Sequence, residues 1–93
     1  MGFTKETAVE TARKDLARRL SVAEGEIDEG SVSKVDFPDM SLGAPASGEM
    51  SAQMISTGWK INLKAKGRMY EYRADKYQIR LKDFDGANHV IAS

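Results

Sequence analysis

Residues 57–82, TGWKINLKAKGRMYEYRADKYQIRLK, decide the fold. Trp59, Ile61, Leu63 and Ala65 alternate with Lys60, Asn62, Lys64 and Lys66, the period of a strand with one apolar and one polar face. Lys66-Gly67 reads as a two-residue turn, because glycine accepts the positive φ that such a turn requires. This placement pairs Ala65 with Arg68, Leu63 with Tyr70, Ile61 with Tyr72 and Trp59 with Ala74. One face then collects Trp59, Ile61, Leu63, Tyr70 and Tyr72, and alternation sends Tyr77 to the same apolar side. The other collects Lys60, Lys64, Lys66, Arg73 and, from a further strand over 77–82, Arg80 and Lys82, with Glu71 among them. The hairpin over about 57–75 is therefore expected to have one core face and one solvated face.

Before the hairpin, Val9, Ala12, Leu16 and Leu20 recur at spacings of three and four, which predicts a helix over about 4–20. Thr4 is one N-cap, and Thr7 followed by Glu10 offers a capping box one turn later, so either residue can start it. Glu10 with Lys14 and Asp15 with Arg19 have the i,i+4 spacing of an exposed, solvated helix face. Val22 and Ile27 tuck in after the helix end. A strand follows over about 31–37, in which Val35 and Phe37 share one face while Val32 falls on the other, implying a bulge or a late start. Pro38 ends it, since proline cannot donate to a ladder. Residues 38–54, PDMSLGAPASGEMSAQM, have the proline, glycine and serine content of a loop, and a long one for a domain of this size. In the tail, 83–93, Asp85-Gly86 signals a turn and Val90-Ile91 can add a short edge strand.

The 93 residues make one small domain, expected to bury about 60–65% of its unfolded surface. Cysteine is absent and there is a single histidine, which removes disulfides, thiolate metal sites and a histidine cluster, so neither metal nor cofactor is expected. No window has the roughly eighteen apolar residues of a membrane span, and the N-terminus has no apolar segment of the signal-peptide kind. Net charge is zero, yet residues 1–57 carry six bases and ten acids while residues 58–93 carry eight and four, a balance of −4 against +4. Such a dipole bears on encounter with charged partners and not on fold.

Chemistry-bearing residues are few. His89 lies in the tail with no nucleophile near it in sequence, so no acid–base role is assigned. Asp36 and Asp39 flank Pro38, and Asp39 reads as a turn-former whose carboxylate caps backbone amides. The stretch from Asp83 to Gly86 begins like a calcium loop but lacks the further oxygen ligands, leaving a turn. Two features rise above these. Lys60, Lys64, Lys66, Arg68, Arg73, Arg80 and Lys82 converge on the polar sheet face, which can attract an anionic partner, although the aromatics that base stacking needs alternate to the buried side. In the 38–54 loop Met40, Leu42, Met50 and Met54 either pin the loop to the sheet or meet a partner, as methionine adapts to irregular surfaces.

The order of motifs resembles a family of small bacterial domains, often in exported proteins or lipoproteins. Its loop typically reads WPDSSLGCP and its hairpin GYRIxLxANGxxYEYHTD. The matching positions are Leu20, Val22, Glu26, Ile27, Phe37, Pro38, Asp39, Ser41, Leu42, Gly43, Pro45, Gly58, Gly67, Tyr70, Glu71, Tyr72 and Asp75. Phe37 replaces the tryptophan, Ala44 stands where cysteine is typical and Arg73 where histidine is common. The helix-then-strands order is also similar to the PepSY and cystatin-like architectures, which implies protease inhibition as one role. Together these readings predict an α+β domain: an N-terminal helix packed on a three- to four-stranded antiparallel sheet. The function expected is a non-catalytic interaction module with an unknown protein partner, more readily monomeric than an obligate oligomer, with an exported location implied by the resemblance alone. A nucleic-acid or other anionic partner on the basic face is the alternative, and catalysis is the least expected, because nothing supplies a nucleophile with a base.

Overall fold

The computed structural model describes residues 2–93. Helix α1 (Lys5–Leu20) is followed by a 3-10 turn at Glu24–Glu26 and by five strands: β1 (Asp28–Phe37), β2 (Ser56–Ala65), β3 (Arg68–Asp75), β4 (Ile79–Phe84) and β5 (Ala87–Ala92). The strands form one antiparallel meander in the order β1-β2-β3-β4-β5. The sheet thus has five strands and not the three or four expected. The fifth is the tail, which Asp85-Gly86, both at positive φ, folds back on β4.

Thr4 starts the helix. Its backbone N–H donates to Thr7 Oγ1 at 2.8 Å, and its own hydroxyl accepts from the Thr7 N–H at 3.2 Å, a reciprocal cap that satisfies two otherwise orphaned donors. Ser21 ends the helix in the left-handed region at φ 56, and the Val22 N–H reaches back to the Ala17 carbonyl. The buried helix stripe is Ala8, Ala12, Asp15, Leu16 and Ala17, turned slightly from the Val9-to-Leu20 line predicted, with Val9 and Leu20 at its margins.

The hairpin has the predicted register throughout, from Ala65 opposite Arg68 to Trp59 opposite Ala74, closed by Lys66 and Gly67 at φ 51 and 74. Helix and sheet bury Leu16, Ile27, Ile61, Leu63, Tyr72, Ile79 and Leu81 between them, each contributing about 1.5–3 kcal/mol. Trp59 and Tyr70 line the edge of this core, half-buried. Tyr77 does not join it: the turn between β3 and β4 holds it outside, 68% exposed. Strand β1 starts at Asp28, three residues earlier than expected, and a register shift between Glu29 and Ser31 sets Val32 opposite Ile61. At the far end of the hairpin, a Cβ on Gly58 would come 2.0 Å from the Ala74 carbonyl oxygen, so this close approach of β2 to β3 requires glycine.

Asp15 departs from the exposed role its i,i+4 spacing predicts. It is 4% exposed and accepts from the Tyr72 hydroxyl at 2.7 Å, from Arg18 Nη2 at 2.9 Å and from Arg19 Nε at 2.8 Å. Burial first, and then the bond to Asp15, push the Tyr72 hydroxyl well above the ordinary tyrosine range, which keeps it a donor. A polar clasp of this kind fixes the helix on the sheet at one register.

Candidate functional site

Over β3 and β4 the second face of the sheet is covered. The chain leaves β1 at Phe37, crosses over β3 and β4, and returns to β2, so that residues 38–49 form a third layer opposite the helix. The two arginines predicted as part of a free basic face are its fasteners. Arg73 donates from Nη1 to the Leu42 carbonyl at 2.8 Å, from Nε to Glu71 at 2.6 Å, and its guanidinium lies 5.6 Å from the Phe37 ring centre. Arg80, 6% exposed at its side chain, donates to the Ala44 carbonyl at 3.1 Å and clasps the Glu49 carboxylate with both terminal nitrogens. Gln78 Nε2 holds the Met40 carbonyl at 2.6 Å and Asn88 Nδ2 the Pro45 carbonyl at 2.9 Å. A buried guanidinium offers five fixed donors, and loop carbonyls that have no ladder partner accept them.

The loop is also folded from within. Asp39 Oδ1 accepts from the Ser41 hydroxyl at 2.6 Å, the Ser41 N–H at 2.9 Å and the Gly43 N–H at 3.1 Å, as its position after proline predicts. The Ser41 hydroxyl foremost, then the Gly43 amide, hold its carboxyl below the usual carboxylate range. Leu42 and Gly43 follow in the left-handed region at φ 59 and 67. A leucine there costs about 1–2 kcal/mol, and full burial of its side chain offsets this. Glu49 closes the turn by accepting from the Ala46 N–H at 3.0 Å. Its hydrogen bond to Arg80, followed by that from Ala46, lowers its carboxyl to about 2.

The predicted site residues therefore separate. Leu42 is fully buried, Met40 is partly covered and Met50 is 96% exposed. Arg73 and Arg80 are structural. Lys60 lies 4.0 Å from Glu71, and Lys82 pairs with Asp83 at 2.5 Å. Lys64, Lys66 and Arg68 remain clustered at the hairpin tip and make no salt bridge among the described residues. Exposed apolar residues gather after Glu49: Met50, and Met54 at 62%, both among the loop residues expected to pin the loop or meet a partner, and Ile55 at 73%, which no sequence pattern singles out. Asp75 joins them to Tyr77. One carboxylate oxygen takes the Ser56 hydroxyl at 2.6 Å and the other the Tyr77 N–H at 2.7 Å, so Ile55 and Tyr77 flank the same end of the sheet.

No group of three or more His, Cys, Asp or Glu side chains able to hold a metal ion occurs among the described residues. His89 donates to the Phe84 carbonyl across 3.0 Å and packs edge-on against the Phe84 ring. A groove of about 550 Å³ lies between Leu20, the hairpin tip and the β4–β5 turn; Arg68, Lys82, Glu71, Asp83 and Asp85 give it mixed charge. No helix among the described residues is long and apolar enough to cross a membrane.

A family model described as a domain of unknown function (DUF8738) matches residues 9–82. The chain belongs to the DUF8738 family. The match runs from within α1 through β4, so it encloses the hairpin, the 38–49 layer and the arginines that fasten it, and leaves β5 outside. No curated protein and no solved structure matches the chain.

Proposed function

We propose that the domain is a non-catalytic interaction module whose contact surface is the apolar end formed by Met50, Met54, Ile55 and Tyr77. The observation that carries this reading is the contrast within one loop. Residues 38–49 are fastened by four side chains from β3 to β5 and the turn between β3 and β4, while the next six present three large apolar side chains to water. Unpartnered apolar residues grouped on a rigid support mark interaction surfaces, and methionine and tyrosine suit a protein partner of irregular shape. The loop's fastened half then acts as the platform for its free half. The resemblance to exported domains and to cystatin-like architectures favours an extracytoplasmic setting and makes a protease one candidate partner.

Affinity capture tests it with wild type and the Met54→Ser, Ile55→Ser double variant. These positions are exposed, so the variant keeps the wild-type thermal midpoint. Loss of the captured protein in the variant is expected; equal capture by both contradicts the reading. Full activity of every member of a protease panel at micromolar domain would remove the inhibitor form of it. A second reading rests on Lys64, Lys66 and Arg68, which leave the hairpin tip positive and suited to an anionic partner. It requires binding of labelled nucleic acid that weakens steeply with salt, and flat anisotropy at low salt contradicts it.

A further inference from the structure

Strand β1 is an open edge. In the hairpin the pairs Ala65–Arg68, Leu63–Tyr70 and Ile61–Tyr72 exchange hydrogen bonds, which turns the amides of Lys64, Asn62, Lys60 and Gly58 toward β1. Their partners Asp28, Ser31, Ser33 and Val35 are consumed, and Val32, Lys34 and Asp36 direct N–H and C=O away from the sheet. No other backbone bond takes these groups among the described residues. The register is unbroken from Ser31 to Phe37, whereas the β5 edge shifts register twice, between Ile79 and Arg80 and between Leu81 and Phe84. The 38–49 layer crosses toward β3, β4 and β5, and so leaves β1 uncovered.

We propose that this edge takes β1 of a second copy of the chain, antiparallel about a two-fold axis through Val35, joining two sheets into one of ten strands. The charge pattern selects that register. Only outward-facing residues can exchange hydrogen bonds, so Lys34 meets Asp36 of the second copy and Asp36 meets its Lys34, two ion pairs flanking Val35 against Val35. An axis at Lys34 would oppose lysine to lysine, and one at Asp36 would oppose aspartate to aspartate. Lys34 and Asp36 are both exposed and share the helix side of the sheet opposite Trp59 and Thr57; Asp36 Oδ1 accepts from the Thr57 hydroxyl at 2.6 Å, and neither residue forms an ion pair among the described residues. Four backbone hydrogen bonds and two exposed ion pairs fall short of an obligate interface, so association is reversible and concentration-dependent. This surface is separate from the apolar end around Ile55, and each can fail without the other.

Sedimentation velocity over a concentration series tests the proposal. Wild type shifts from monomer toward dimer between micromolar and millimolar chain. Lys34→Asp and Asp36→Lys each place like charges opposite one another and weaken the dimer by about tenfold or more. The Lys34→Asp, Asp36→Lys double variant restores it, and an equimolar mixture of the two single variants forms the heterodimer that neither forms alone. A wild type monomeric across the range overturns the proposal, and so does a dimer indifferent to the single swaps.

Discussion

Arg80, near the start of β4, and Glu49, thirty-one positions earlier in the loop, form a two-pronged ion pair, with Nη2 to Oε2 at 2.7 Å. The same guanidinium holds Gln78 at 2.7 Å and the Ala44 carbonyl, so one side chain ties loop, strand and turn. Arg80→Ala removes the donor to the Gln78 and Ala44 oxygens and leaves Glu49 with the Ala46 N–H alone, and is expected to lower stability by about 2 kcal/mol in chemical denaturation. Arg80→Lys, which keeps charge but not the fork, recovers only part of that.

Acid weakens the same clamp. The Glu49 carboxyl titrates at about 2 in the fold against an ordinary 4.5, so the folded state favours the ionised form. Its stabilisation is complete above the unfolded value and is lost as pH falls from 4.5 toward 2. Asp39, lowered chiefly by the Ser41 hydroxyl, has the same sign over the acid side of its own range. The thermal midpoint of wild type therefore drops through this window, while Glu49→Gln starts lower at neutral pH and falls less steeply.

Tyr72 and Asp15 make the corresponding bond on the helix side. Tyr72→Phe removes one donor but leaves Asp15 with Arg18 and Arg19, and costs about 1.5 kcal/mol. Asp15→Ala strands a buried tyrosine hydroxyl and should cost about 3 kcal/mol. Urea unfolding of the two variants distinguishes a clasp with this order from a surface ion pair, for which both would be near neutral.

Gly58→Ala places a methyl 2.0 Å from the Ala74 carbonyl and must push β2 from β3. A loss of about 3 kcal/mol is expected, against about 1 kcal/mol for Gly67→Ala, where positive φ is the sole objection.

The hairpin was legible because alternation and a glycine turn act over neighbouring residues: once Lys66-Gly67 is placed, Leu63 must oppose Tyr70. Asp39 was legible for the same reason, its partners lying two and four residues on. What escaped were interactions set by long-range geometry. A lysine- and arginine-rich strand face looks alike whether water or loop carbonyls meet it, so nothing local told Arg73 and Arg80 from Lys64 and Lys66. Asp15 likewise has the spacing of a solvated pair, and its burial depends on Tyr72, 57 residues away. The spacing in the loop leaves Leu42 either pin or contact; burial makes it the pin, and the exposed residues that remain are Met50, Met54 and, beside them, Ile55.

Amide hydrogen exchange, resolved across residues 38–55, tests most directly whether the loop is a fastened layer that supports a free apolar end. The amides of Ser41, Leu42, Gly43 and Ala44 are each hydrogen-bonded and are expected to exchange slowly, with Met50, Met54 and Ile55 exchanging fast and Arg80→Ala releasing the first group. Fast, uniform exchange over the whole of 38–55 in wild type would contradict it.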